Sequence, residues 1–589
     1  MKAVVLRTGT VSCLVAAAVL LAAQAVWPWR TAMLAPTPQA DYGDPVRAEH
    51  GMVVSASRLA SQAGVDVLKK GGNAIDAAVA TGFALAVTFP AAGNLGGGGF
   101  MAIRFPEGKA TTIDFREKAP LDATRNMFLD STGTFVPERS QRGYLASGVP
   151  GSPAGLLLAH EQYGKLPLKD VLAPAIRLAE RGFPLSRSQA HRFNAFRGEF
   201  SQFPGTKKYF TKADGTPYRE GERFVQRDLA AVLKRIRKHG WAGFYEGKTA
   251  DLIAREMARG HGLMTKQDLA SYQAVERPPV RGTYRGYRII SMGPPSSGGI
   301  ALVQLLNAVE PFDVHEMGFN SSETIHLMGE AMRRVYADRA YWLGDPDYVR
   351  VPIQHLIDKD YMRRRMADFN PYRADTSRAL THGNPLAYES TETTHFSVVD
   401  NDGIAVAVTT TINGYYGSKV VVDGAGFFLN NEMDDFSAKP GTPNMFGLVG
   451  AEANAIQPGK RMLSSMSPTI VEDPEGDLFM VIGTPGGATI ITTVFQVVMN
   501  VIDHGMNIQA AVSAPRVHHQ WLPDVLRYER MGLAKDVVRN LEQRGWKIEE
   551  DNGTWGAADG IVVRAGGSEA SRILFGGADP RGENAAVGY

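Results

Sequence analysis

At Thr393 the chain changes its hydrophobic period, and that change limits the folds open to it. Upstream, apolar residues recur at helical spacing in "PAGLLLAHEQYG", "LKDVLAPAIRLAERG", "RDLAAVLKRIRKHG" and "SETIHLMGEAMRRVYADRAYWLG". In the last of these, Asn320 and Glu323 have the spacing of a capping box. Downstream come the short apolar runs "HFSVVD", "IAVAVTTTI", "SPTIVED" and "DLFMVIG", which read as strands, and then a helix, "TTVFQVVMNVIDHG". Nearer the N-terminus, Leu59 to Lys70 reads as a helix ended by Gly71-Gly72. Asn73 can cap the next helix, "AIDAAVATGFALAV", which Pro90 stops before "GNLGGGGF" and the strand "MAIRF". Another strand, "GYRIISM", sits among the middle helices, and no fixed-period repeat appears. The expected arrangement is helices outside and antiparallel sheet inside, with strands concentrated in the C-terminal third.

The switch falls on "TETTHFSVVD" (Thr391 to Asp400), where threonines open a buried strand. The link "DNDG" (Asp400 to Gly403) reads as a tight turn between two strands. A three-residue loop, Asn401-Asp402-Gly403 with glycine left-handed, sets Asp400 opposite Ile404 and, counting back, Thr393 opposite Thr411. A two-residue turn would move the partner to Thr410 or Ile412. A mid-chain threonine hydroxyl has no base of its own. At a chain terminus it gains one, because the α-amino group titrates at about 7.7–8.0, near the pH a general base prefers. Thr with an N-terminal amine is a known nucleophile pair. The pattern therefore points to a cut between Glu392 and Thr393. On their own, "TTH" and "TTT" are more often ordinary β-propensity than catalysis.

Charge argues against several classes. Lys and Arg number 63 against 61 Asp and Glu, so there is no field for nucleic acid or anionic lipid. Residues 1–25 read as a signal peptide: Lys2 and Arg7, an apolar run from Val11, and a small-x-small site at Ala23-Gln24-Ala25. The run is too short for a typical span, so stable membrane insertion is not expected and the protein is expected in the periplasm or medium. Cys13, the single cysteine, lies inside that segment. A mature chain would lack disulfides, thiolate catalysis and Cys-ligated metal, and no cofactor or metal is expected. A Pro-rich tether over 26–47 follows.

Nine stretches resemble the gamma-glutamyltransferases (glutathione hydrolases) in the same order along the chain: "GMVVSAS", "KKGGNAIDAAVA", "NLGGGGFM", "DFREKAP", "TTHFSVVD", "NNEMDDFSAKPG", "KRMLSSMSPTIV", "GTPGG" and "APRVHHQWLPD". The resemblance covers roughly Ala48 to Tyr589. It implies an α+β fold, the four-layer αββα sandwich of N-terminal nucleophile hydrolases, formed jointly by two subunits of one precursor. These would be a large subunit, 48–392, ending in a flexible linker over 371–392, and a small catalytic subunit, 393–589, which remain associated as a heterodimer.

The resemblance also implies roles. Thr393 is the nucleophile of self-cleavage, attacking the carbonyl of Glu392, and of turnover; Thr411 orients it. Arg116, Ser464 and Ser465 hold the substrate α-carboxylate, and Asn413, Glu432 and Asp435 its α-ammonium. The N–H groups of Gly486 and Gly487 receive the oxyanion. "KPGTPNMFGLVG" (Lys439 to Gly450) resembles a lid with Phe446 where relatives often have tyrosine, and Glu432 stands where some have glutamine. Phe446 cannot offer a hydroxyl to Asn413. The implied donors are glutathione and other γ-glutamyl compounds, and the acceptors are water, amino acids or dipeptides. Two alternatives stand beside this: a glutaryl or cephalosporin acylase of the same fold, and an unprocessed, non-enzymatic surface or binding protein. "GTPGG" and "GGGG" lack the Lys-Ser/Thr of a phosphate loop, and His518-His519 lack spaced partners for a metal.

Overall fold

The computed structural model describes residues 43–380, 394–439, 445, 451–566 and 572–589. The chain divides into Met1–Asp44, almost wholly outside those residues, and Pro45–Tyr589, which carries every element below. The signal segment expected over 1–25 lies outside the described residues.

Two seven-stranded sheets form the centre. One runs β1 (Val46–Ala48), β13 (Arg572–Ala578), β12 (Asp559–Ala565), β11 (Leu478–Gly483), β10 (Thr469–Glu472), β7 (Tyr287–Ser291), β6 (Val280–Tyr284). The other runs β14 (Ala585–Gly588), β2 (Met52–Ser55), β8 (Thr394–Val399), β9 (Ala405–Thr411), β3 (Gly98–Arg104), β4 (Ala110–Asp114), β5 (Val275–Arg277). All neighbours in both sheets are antiparallel.

Period-2 alternation builds the layers. Met52, Val54, Val399, Ala405 and Ala407 point into the core between the sheets, where they meet Ile470, Val481 and Ile561. Their neighbours Val53, Phe396, Val398, Val406 and Val408 point outward, beneath helices α1 (Arg58–Lys69) and α2 (Ala74–Thr88). A short helix, α3 (Arg187–Ala195), belongs to the helical stretch between β4 and β5. The other sheet is covered by α4 (Gly298–Val309) and α6 (Thr489–Ile502), with α5 (Ser322–Trp342) packed against α4, around a core that includes Val280, Ile289, Met480 and Ile482. The expected αββα sandwich is present. The strands are less C-terminal than the sequence led us to expect: both sheets draw on strands upstream of Thr393.

The turn between β8 and β9 has the three-residue geometry. Val399 pairs with Ala405 and Thr394 with Thr410, and the Asp400 N–H donates to Ile404 O at 3.2 Å. Gly403 takes φ 87°, the left-handed region its missing Cβ permits. Asp400 also accepts from the Ala74 N–H at 2.8 Å, fixing the turn to the start of α2. At that start Asn73 and Asp76 make the reciprocal capping box.

Two helix starts differ from the reading. The cap of α5 is Ser321, which accepts from the Thr324 N–H, while Asn320 is left-handed at φ 49° just before it. Asparagine tolerates that conformation, and it turns the chain into the helix. "LKDVLAPAIRLAERG" forms two helices, Leu168–Val171 and Ala173–Arg181, because Pro174 has no N–H to continue the first.

The chain is tied down shortly before residue 381. Trp521 Nε1–H is shared between the carbonyls of Ser377 and Leu380, 3.0 Å from each. Asp524 accepts from the Ser377 N–H at 2.7 Å, and Arg333 reaches both Asp524 and the Ser377 hydroxyl. Asp375 is held by Arg334 at 2.7 Å, and its N–H donates to Glu330 at 3.1 Å. No helix among the described residues is long and apolar enough to cross a membrane.

Candidate active site

Glu392, Thr393 and Phe446 lie outside the described residues. The rest of the expected site is described and lies around the start of β8. Thr394, the first residue of that strand, is buried beside Thr410 of β9. Thr411 ends β9, and its hydroxyl accepts the Asn413 N–H at 2.8 Å. That bond holds Asn413 in a left-handed turn, φ 68°, from which its amide donates to Asn431 O at 3.0 Å. Asn431 returns its own N–H to Ile412 O at 3.1 Å, so this turn and the segment leading to Glu432 are one unit.

Arg116 follows β4, its N–H donating to Asp114 at 3.0 Å. The side chain is 1% exposed and surrounded by acids. One guanidinium nitrogen contacts both Glu432 and Glu117; the other contacts Asp435. Nε and Nη2 donate to the carbonyls of Met462 and Leu463 at 3.2 and 3.1 Å, fixing the plane of the group. Three carboxyls thus face one cation. Burial pushes all three upward, against the pull of Arg116: Glu117 to about 7, Glu432 well above the usual range, and Asp435 also up. Repulsion among the acids adds to the rise at Glu117 and Glu432. One oxygen of each acid, Glu117 Oε1, Glu432 Oε2 and Asp435 Oδ1, is buried with no hydrogen-bond partner among the described residues. A buried acceptor without a donor costs roughly 1–3 kcal/mol, more if charged, a cost that a donor-rich cation beside these oxygens would offset.

Ser464 and Ser465 close the next wall. Ser464 O accepts the Ser297 N–H at 2.7 Å, and its hydroxyl accepts the Met466 N–H at 3.1 Å. Ser465 Oγ accepts from Arg339 of α5 at 3.2 Å, and Arg339 Nε donates to the Ser297 hydroxyl at 2.7 Å. The charge of Arg339 also draws the Asp435 carboxyl down, the smallest of the named influences on it. Sequence reasoning missed Glu117 and Arg339. Glu117 stood inside the "DFREKAP" motif; Arg339 carried no signal to separate it from the other arginines of its helix.

Gly486 and Gly487 lie between β11 and α6 with φ 136° and 55°, conformations that favour glycine. Their carbonyls accept the Thr489 and Ile490 N–H groups at 3.1 and 3.0 Å, which start the helix. Neither glycine N–H finds an acceptor among the described residues. Two open donors at the positive end of a helix suit a developing oxyanion. Gly486, Thr489 and Thr394 together line one wall of a cleft of about 700 Å³.

Of the expected lid, Met445 is described. Its N–H donates to Asp434 at 3.0 Å, and Asn431 donates to its sulfur at 3.4 Å. Burial pushes the Asp434 carboxyl up to about 7, against a bond from Ser140. His518 and His519 are buried in the protein's own bonds, to Thr492 and Gln520 and to Asp524. Burial holds both well below the usual histidine range. Among the described residues no group of three or more His, Cys, Asp or Glu side chains is placed to hold a metal ion.

The Gamma-glutamyltranspeptidase family model matches residues 60–589. A curated relative, the "Glutathione hydrolase proenzyme" of Escherichia coli (strain K12), is 48% identical over 562 residues, 94% of this chain and 95% of that protein. Among solved structures, the gamma-glutamyltranspeptidase of Helicobacter pylori is 47% identical, with a TM-score of 0.55, covering 59% of this chain and 97% of that one. A cephalosporin acylase from Bacillus halodurans is 29% identical, with a TM-score of 0.82, covering 94% of this chain and 98% of that one.

Proposed function

Because the chain belongs to the gamma-glutamyltranspeptidase family, we propose that it is an autoprocessed gamma-glutamyltransferase whose nucleophile is Thr393. In the precursor the Thr393 hydroxyl adds to the Glu392 carbonyl, and the peptide C–N bond gives way to an ester. Water opens the ester, leaving Glu392 as a carboxylate and Thr393 with a free α-amine. In turnover that amine takes the hydroxyl proton as Oγ attacks the γ-carbonyl of a donor such as glutathione, and passes it to the departing amine. Thr411 orients the hydroxyl, and the N–H groups of Gly486 and Gly487 hold the oxyanion. Water then releases glutamate, or an amino acid or dipeptide takes the γ-glutamyl group.

The observation that carries the reading is the Arg116 cluster, with three orphan carboxyl oxygens around one guanidinium. A γ-glutamyl group brings an α-carboxylate and an α-ammonium together. Its carboxylate takes the Arg116 fork with Ser464 and Ser465; its ammonium supplies three N–H donors to Glu432, Asp435 and Asn413. Ion pairs within the cluster are exchanged for ion pairs to the ligand. We further propose that residues 1–25 export the chain to the periplasm or medium, and that subunits 48–392 and 393–589 stay together as a heterodimer.

The likeness to a cephalosporin acylase supports a second reading, cleavage of a glutaryl amide. Glutaryl has no ammonium and would leave the orphan oxygens of Glu432 and Asp435 unmet. Rates on γ-glutamyl and glutaryl p-nitroanilides decide between them: the γ-glutamyl compound is expected to be cleaved faster, and preference for glutaryl reverses the assignment.

A further inference from the structure

The cleft of about 700 Å³ shares Thr394 and Gly486 with the catalytic neighbourhood, yet its lining includes none of the residues around Arg116. It is a separate space reached from the same strand end. In a γ-glutamyl transfer one side of the reacting carbonyl holds the glutamyl moiety, and the other must hold the amine that leaves or arrives. The Arg116 pocket has the chemistry for the first. The cleft lies beside Gly486, one of the proposed oxyanion donors.

Its charges are unevenly committed. Arg527 is paired with Asp551, and Arg581 with Glu529 and Asp579. The other lining acid, Glu583, accepts from the Ser186 hydroxyl at 2.7 Å. Arg192, on α3, has no carboxylate partner among the described residues. Its Nη2 donates to the Ser188 hydroxyl at 2.7 Å, one helical turn back. Its guanidinium carbon lies 5.3 Å from the ring centre of Phe89 and 5.6 Å from that of Tyr415. Aromatic faces hold an arginine in place without neutralising it, and leave the rest of its donor fork for an anion. Tyr415 is two residues beyond Asn413, so the Arg192 wall and the γ-glutamyl wall are joined by one short turn.

We propose that this cleft receives the amine component of the reaction, the leaving peptide of the donor or the incoming amino acid or dipeptide, and that Arg192 binds its C-terminal carboxylate. This rests on the γ-glutamyl reading above. In the transfer step the amine nitrogen bonds to the γ-carbonyl carbon, the bond from that carbon to Thr393 Oγ breaks, and the amine proton returns to Oγ through the α-amino group. Arg192 takes no part in bond making. It fixes the distal end of the amine so that its nitrogen meets the ester.

The test compares two acceptors that differ only in that distal charge. Mature wild type, Arg192→Gln and Arg192→Lys are assayed for transfer from γ-glutamyl-p-nitroanilide to glycylglycine and to glycylglycinamide. Wild type is expected to use glycylglycine more efficiently. In Arg192→Gln the ratio of transfer efficiencies, glycylglycine over its amide, is expected to fall at least tenfold through KM, with Arg192→Lys between. A ratio within threefold of wild type in both variants overturns the proposal, and so does an equal loss on both acceptors. Failure of wild type to cleave the γ-glutamyl anilide at all would instead remove the underlying reading.

Discussion

Replacing Arg116 separates its two duties, holding a substrate carboxylate and balancing three buried acids. Arg116→Lys keeps a positive charge but loses the planar fork, so one of two bonds to the substrate carboxylate goes. A hydrogen bond to a charged group contributes about 1.5–3 kcal/mol, which corresponds to roughly a 10- to 150-fold loss in kcat/KM on γ-glutamyl-p-nitroanilide. Arg116→Met removes the charge as well, and leaving buried ions without their partner costs about 3–5 kcal/mol. The acids respond by keeping their protons. With the arginine present, burial already raises Glu117 to about 7 and Glu432 well above the usual range; without it they rise further. A carboxyl raised in the folded state binds more protons there than in the unfolded chain, so stability falls as pH rises through that interval. Arg116→Met is therefore expected to melt progressively below wild type between pH 5 and pH 9, read by thermal denaturation across that range. If Arg116→Lys stays within threefold of wild type in kcat/KM, or if Arg116→Met parallels wild type across pH, the account of this cluster is wrong.

The other expectations can be tested separately. Gly486→Ala forces a Cβ to within 2.5 Å of Thr489 Oγ1 at a φ of 136°; the N–H is kept but turned from its place, and misplacing one oxyanion donor is expected to lower kcat by about 100-fold or more, measured on the γ-glutamyl anilide. Asp434→Asn removes a buried acid raised to about 7, so its Tm is expected to gain on wild type as pH rises from 5 to 7 and then level off; the linkage across that window is worth up to about 3 kcal/mol, and parallel Tm curves would refute it. Trp521→Phe leaves the Ser377 and Leu380 carbonyls without their shared donor. Precursor conversion, followed on denaturing gels, is expected to slow more than turnover of the matured enzyme, and a wild-type time course would show that this tie does not position the linker.

What could be read beforehand was mostly local. "DNDG" carries its own geometry, since a glycine in the last loop position allows the left-handed residue that sets Asp400 against Ile404. Asn73 and Asp76 lie three apart and cap each other. Long-range pairing was not legible: nothing in "MVVS" announces that it lies between β14 and β8, more than three hundred residues away in either case. The site divides the same way. Arg116, Glu432 and Asp435 came from motif resemblance, and their convergence on one buried ion cluster is a fact of tertiary packing. Glu117 sat beside Arg116 in "DFREKAP" without a sign that its carboxyl turns back onto the same buried charge, and Arg339 joins only because α5 brings it there, with no sequence neighbour that marks it. Asn320 and Glu323 fitted a cap by spacing, but the left-handed turn at Asn320 moved the cap to Ser321.

Intact-mass analysis of the purified protein, with N-terminal sequencing of its smaller chain, tests the central claim most directly. The account predicts two chains, the smaller one running from Thr393 to Tyr589, and a Thr393→Ala variant that remains uncut and without turnover. A smaller chain with any other first residue, or a Thr393→Ala protein that matures and cleaves γ-glutamyl-p-nitroanilide, would contradict it.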